Sequence, residues 1–180
     1  MRPFIETFTG KHFAPLNPNI ADICIDDIAH ALSHQCRFSG HTRVHYSVAE
    51  HSVRVSELLE AWSYPRTVLL WGLLHDASEA YLVDLPTPLK LDPSLGPAYR
   101  AAEKRLMEAI CTRFALPVVE PPSVALADAT LLATEARDLM PFHPAYWSKL
   151  SAQPLEAQIV PWNPRTAKRN FIRRYLKVCE

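Results

Sequence analysis

The sequence predicts an all-α fold, and three observations carry that reading. Apolar residues recur at spacings of three and four over most of the chain, the period of one helix face. Glycine is rare, with 4 residues, whereas 16 prolines punctuate the chain at intervals suited to helix joints. The length of 180 residues matches one compact domain. Together these give a single helical bundle over 1–180 with five to seven helices and, within residues 1–24, a short N-terminal hairpin.

The stretch "FIETFTGKHFAPLNP" carries the hairpin expectation. Asp26 can cap a first helix through "DIAHALSHQC". A polar connection, "RFSGHTRVHY", follows. Ser47 with Glu50 three places on forms a capping box and starts a second helix. Val48, His51, Val55, Leu58, Leu59 and Trp62 make its apolar stripe, with His51 inside it. A third helix fits 66 to about 81. Its first half, "VLLWGLL", is apolar all round, and Gly72, unfavourable in a helix by about 1 kcal/mol, implies a close helix crossing there. "YRAAEKRLMEAICTRFAL" and "SVALADATLLATEARDLM" read as two more helices. "PRTAKRNFIRRYLKV" reads as a last one, with Pro164 in its first turn.

Bulk properties narrow the function. Nineteen basic and nineteen acidic side chains cancel, so net charge gives no support to nucleic-acid binding. The longest apolar run is too short to span a bilayer. Four scattered cysteines without a C-x-x-C pair, and no leader-like N-terminus, point to free thiols in a reducing cytoplasm.

The chemistry concentrates in "LLHDASEAYLVDLPTPLK", residues 73–90. On a continuous helix His75 and Glu79, four apart, share a face, and Asp76 neighbours both. This polar group follows directly on an apolar turn, where burial is deep and an unpaired charge is costly. His51 sits on another apolar stripe. Asp128 sits in "VALADATLLATEA", on one face with Val124, Leu131, Glu135 and Leu139. Two imidazoles and two carboxylates from three helices suit one divalent transition metal, Mn, Fe, Co or Zn, better than Ca or Mg. The H-E-x-x-H zinc signature is absent.

The order His51, His75-Asp76, Asp128 resembles the HD-domain metal-dependent phosphohydrolases. His51 precedes His75 by 24 residues, and Asp76 precedes Asp128 by 52. "AEHS" around His51 and "HDASEAYLVDLPTPLK" resemble the 5′-deoxynucleotidase branch, and the core motifs span 37–140. The resemblance implies that His51, His75, Asp76 and Asp128 bind the metal. It puts Glu79 at the catalytic acid/base position and makes Asp84 a second active-site carboxylate. It also implies that Arg37 contacts substrate phosphate, and that the chain forms a homodimer. The branch carries a tryptophan after that arginine, where this chain has Phe38, and the interval to the first ligand differs by one residue. Lys90 can add a positive charge beside the substrate.

The expected activity is release of phosphate from a small phosphomonoester, a nucleoside 5′-monophosphate foremost. The alternatives are another HD hydrolase, acting on a different nucleotide or a phosphodiester, and a regulatory HD protein that binds metal or nucleotide without turnover. Glu135 either orients a ligand histidine or pairs with an arginine. His30 and His34 read as packing or surface residues, and His41 or His45 can approach substrate. The basic last helix reads as a packed terminal helix with a solvated face rather than a nucleic-acid surface.

Overall fold

The N-terminal hairpin forms from β1 (Ile5–Glu6) and β2 (His12–Phe13), paired antiparallel with Ile5 opposite Phe13. The rest is helical in the computed structural model, which describes residues 3–141, 150 and 152–180. In chain order the α-helices are α1 (Ile25–His34), α2 (Val48–Ala61), α3 (Arg66–Leu74), α4 (Glu79–Leu82), α5 (Thr87–Lys90), α6 (Gly96–Arg113), α7 (Pro122–Leu139) and α8 (Pro164–Cys179). Six of these have nine or more residues and two are single turns, among the described residues. No helix among these residues is long and apolar enough to cross a membrane.

Local chemistry explains the helix starts, with two departures from expectation. Ser47 caps α2, its hydroxyl accepting from the Glu50 amide at 3.1 Å. The reciprocal half of the box does not form. Glu50 is fully buried and instead accepts from Arg54 at 2.7 Å and from the Trp162 amide at 2.7 Å. Asp26 is not the cap of α1. Cys24 holds that position, and Asp26 lies in the first turn, where a carboxylate suits the helix dipole. Asn163 caps α8 through the Thr166 amide at 2.9 Å.

α2 is the central element, packed on α3, α7 and α8, while α1 packs on α8, α4 and α2. Val55 and Leu59 of α2 and Leu73 and Leu74 of α3 are fully buried. Gly72 lies at the α2–α3 crossing. A Cβ there would collide with Leu59 and sit 3.3 Å from Val55 Cγ1, which is why glycine's low helix propensity is tolerated. The last helix is packed, as its apolar side requires: Ala167 and Phe171 are fully buried. Arg174 also points inward, donating to the Ser56 hydroxyl and carbonyl and to Glu60.

The expected helix over 66–81 is broken. α3 stops at Leu74, residues 75–78 form turns, and α4 begins at Glu79. His75 and Glu79 therefore do not share one helix face. His75 instead continues the core-facing end of α3, and the polar residues fall where the chain leaves that core.

Candidate metal centre

Three elements converge at the exit from α3. α2 contributes His51, which is completely buried. The end of α3 and the following turn contribute His75 and Asp76. Asp128 and Glu135 come from α7. One donor atom each from His51, His75 and Asp76 lie within 4.8 Å of one another, and this group can hold a metal ion.

The orientation of the two imidazoles is the informative detail. His51 Nδ1 lies 2.6 Å from Glu135 Oε1. His75 Nδ1 lies 2.8 Å from the Gly72 carbonyl. Both acceptors lack hydrogens, so both Nδ1 atoms carry the proton. The two Nε2 atoms then face each other at 3.3 Å. In neutral imidazoles these would be opposed lone pairs, and only a cation or a proton between them makes the arrangement favourable. Asp76 Oδ2 is 3.2 Å from His75 Nε2 and 3.9 Å from His51 Nε2. Asp128 Oδ1 is 3.1 Å from His51 Nε2. Tetrahedral ligands at about 2.1 Å from a metal stand about 3.4 Å apart, so the spacing of these donors can accommodate one metal ion. Both imidazoles also have the outer hydrogen-bond partners that orient metal ligands.

The electrostatics agree. Burial opposes a charge on His75, yet the Asp76 charge and hydrogen bond overcome it and push its pKa up to about 10. Asp76 is driven far below the carboxylate range: its burial is outweighed by His75, His51 and Arg37. Burial likewise resists ionising Asp128, but the hydrogen bond from His51 brings it down to about 2. Glu135 is fully buried, and Arg37 and His51 keep it ionised.

The sequence aligns with proteins that share nearly its whole length. It is 39% identical over 179 residues to the uncharacterised protein YfdR of Escherichia coli K12, an alignment covering 98% of this chain and 96% of YfdR. The chain belongs to the YfdR family. It is also 35% identical over 162 residues to an uncharacterised protein of Rhodobacter capsulatus, covering 85% of this chain and 81% of that one. No family model matches the sequence.

The other expected site residues fall into two groups. Arg37 reaches the cluster, but carboxylates already hold it: Glu135 at 3.0 Å, Asp76 at 3.5 Å and Asp128 at 4.0 Å. Glu135 thus does both things considered for it, orienting His51 and pairing with an arginine. Phe38 follows in a left-handed backbone conformation, φ 53°, with the Arg37 guanidinium 5.6 Å from its ring centre. Asp128 is close to His51, though its side chain is 41% exposed and it lies outside the three-donor group.

Glu79, on α4, is 5% exposed, and its Oε2 is buried with no hydrogen-bond partner among the described residues. Burial, then repulsion from Asp76 and Asp84, push its pKa up to about 9. In the metal-free chain this environment favours the protonated carboxyl group. Asp84 is half-buried beside it. Lys90 lies 3.8 Å from Glu79 but donates to Glu103 at 2.9 Å. Glu103, on α6, has no local signal that marks it in the sequence. His45 Nδ1 lies 3.1 Å from Cys36 Sγ, His41 is exposed, and His30 stacks on Phe8 at 3.8 Å and lies 4.4 Å from His34.

Proposed function

We propose that this chain is a metal-dependent phosphohydrolase that releases phosphate from small phosphomonoesters, a nucleoside 5′-monophosphate foremost. The reading rests on one observation above the others: two Nδ1-anchored imidazoles turn their Nε2 atoms toward each other beside two ionised carboxylates. A buried neutral carboxylic acid lies three residues beyond Asp76, the second group that such a hydrolysis needs. The likeness of the His51, His75-Asp76, Asp128 order to HD-domain phosphohydrolases supports the same reading.

His51, His75, Asp76 and Asp128 would hold the divalent ion. When bound, it supplies charge neutralisation at a phosphoryl oxygen and acidifies a coordinated water. Glu79 supplies the proton. As water adds to phosphorus and the ester P–O bond breaks, the departing alkoxide takes a proton from the Glu79 carboxyl group. The resulting carboxylate, buried beside Asp76 and Asp84, is reprotonated by the proton that the attacking water loses, so the cycle closes. Lys90 is the nearby ammonium that can pair with a substrate oxygen, with Asp84 shaping the field at Glu79. Arg37 keeps N–H donors beside the cluster while its Nε is committed to Glu135. Free cysteines at positions 24, 36, 111 and 179 suit a cytoplasmic enzyme.

The test is a phosphate-release screen on metal-stripped protein, with Mn, Co, Mg and Zn added back singly. Nucleoside monophosphates, sugar phosphates and a phosphodiester are the substrates. Metal-dependent release from a nucleoside 5′-monophosphate is expected. Turnover without any metal, or none on any phosphoester, would refute the reading and favour a binding or regulatory role. Release from the phosphodiester alone would move the chain to the other hydrolase class.

A further inference from the structure

Glu79 is carried by a weak element. α4 has four residues, and a single turn is not stable alone. The next residue, Val83, sits at φ 68°, which is strained for a β-branched side chain. Groups outside α4 must hold it. The Tyr99 hydroxyl of α6 donates to the Val83 carbonyl at 2.5 Å. At the other end, Gln35 Nε2 donates to the Glu79 carbonyl at 2.9 Å.

Gln35 gives up something for that bond. Its own Oε1 is buried and has no hydrogen-bond partner among the described residues. Turning the amide over would set Oε1 against the Glu79 carbonyl, oxygen to oxygen, so Glu79 dictates the orientation. The Gln35 backbone is also committed. Its N–H donates to the Ala31 carbonyl at 3.2 Å, and its carbonyl accepts from the Val48 amide at 3.1 Å. Val48 opens α2, the helix that carries His51. One residue at the C-cap of α1 is therefore bonded to the segment bearing Glu79 and to the segment bearing His51.

We propose that Gln35 is a positioning residue that fixes Glu79 relative to the His51–His75–Asp76 cluster. It acts through the Glu79 backbone, and the proposal rests on the reading of Glu79 as the proton donor.

The experiment is Gln35→Met in the full chain, with Zn2+ restored and adenosine 5′-monophosphate as the probe. Met keeps the volume and removes the donor and the unpaired oxygen together, so Tm should stay within about 3 °C of the parent. The Zn2+ Kd should stay within about twofold, because α4 supplies no ligand. A misplaced acid loses transition-state contact alone, so kcat should fall about 10- to 100-fold with KM little changed. In a Glu79→Gln background the substitution should cause no further loss. Independently of activity, the Val83 amide, which donates to the Glu79 carbonyl at 2.9 Å, should exchange with solvent faster in Gln35→Met. Unchanged kcat, losses that multiply in the double variant, or unchanged Val83 exchange would each overturn the proposal. If the chain hydrolyses no phosphoester, the phosphohydrolase reading fails, and Val83 exchange alone decides whether Gln35 holds α4.

Discussion

Removing Glu135 should damage the protein twice, in stability and in metal binding, and the two losses can be separated. Both carboxylate oxygens are engaged, one with His51 Nδ1 at 2.6 Å and one with Arg37 Nε at 3.0 Å. Glu135→Ala leaves the Arg37 guanidinium, 14% exposed, without its nearest counter-ion. Breaking a buried pair from one side costs about 3–5 kcal/mol. Asp76 remains 3.5 Å from Arg37, so the lower end, about 3 kcal/mol, is expected. For a chain of this size that lowers Tm by about 6–12 °C. The double change Arg37→Met with Glu135→Met removes both charges and should recover most of that stability, because the closest pair goes as a whole and Asp76 and Asp128 keep His75 and His51 beside them. Metal affinity should follow a different order. It falls about 10- to 100-fold in both variants, since each leaves His51 Nδ1 without its acceptor. Urea denaturation and Zn2+ calorimetry on the two variants read the effects separately. A Glu135→Ala protein within about 1 kcal/mol of the parent, or a double variant as unstable as the single one, would refute the pairing argument.

Three further outcomes follow from the same geometry. In the metal-free chain Glu79 holds its proton up to about pH 9, against an ordinary 4.5. Its contribution to stability is therefore complete below the unfolded value and is lost as pH rises from 4.5 toward 9. Glu79→Gln should flatten that decline in denaturation curves from pH 5 to 9, and parallel curves for the two proteins would sink the assignment. Zn2+ at about 100 times its Kd should add about 2.7 kcal/mol, or about 5–11 °C in Tm. That gain should vanish in His51→Ala and His75→Ala and persist, weakened, in Asp128→Asn, whose side chain is 41% exposed. Equal losses in all three would refute the weaker share assigned to Asp128. Gly72→Ala should be destabilising despite a propensity gain of about 1 kcal/mol, because overpacking against Leu59 and Val55 costs about 1–3 kcal/mol. A thermal melt at or above the parent would contradict the close crossing.

What was legible in the sequence was local. The Ser47 cap, the stripe holding His51 and the face shared by Asp128 and Glu135 are each patterns within a single helix, and all three appear in the fold, except that Trp62, past the end of α2, is exposed rather than part of the stripe. The break after Leu74 was not legible. "LLHDASEAYL" has no proline or glycine, and its composition favours continuing the helix. The chain turns there because His75 Nδ1 reaches back to the Gly72 carbonyl and Asp76 meets His51 of α2 and Arg37. Glu103 was missed for a similar reason. It meets Lys90 across a gap of 13 residues between two helices, with no helical register linking them. The carboxylate partners of Arg37 were not legible because its burial was invisible. A guanidinium enclosed beside α7 needs carboxylate partners whatever else it binds, and Glu135 is the nearest.

Charge balance ties these pieces together. Arg37 and Glu135 are closest to each other, and each offsets the other. Lys90 donates to Glu103. With those pairs set aside, the donor cluster is two imidazoles, Asp76 and Asp128, and Glu79 and Asp84 lie beside it. With a metal bound, both imidazoles would be neutral, and together with two ionised aspartates they would carry a charge of about −2, which a divalent cation balances. An ionised Glu79 would add a third negative charge beside Asp76 and Asp84, with its one nearby ammonium already engaged by another carboxylate. In the metal-free chain, burial and repulsion from Asp76 and Asp84 therefore favour a proton on Glu79. A substitution that frees Lys90 from Glu103 should ionise Glu79 at lower pH without touching a single metal ligand.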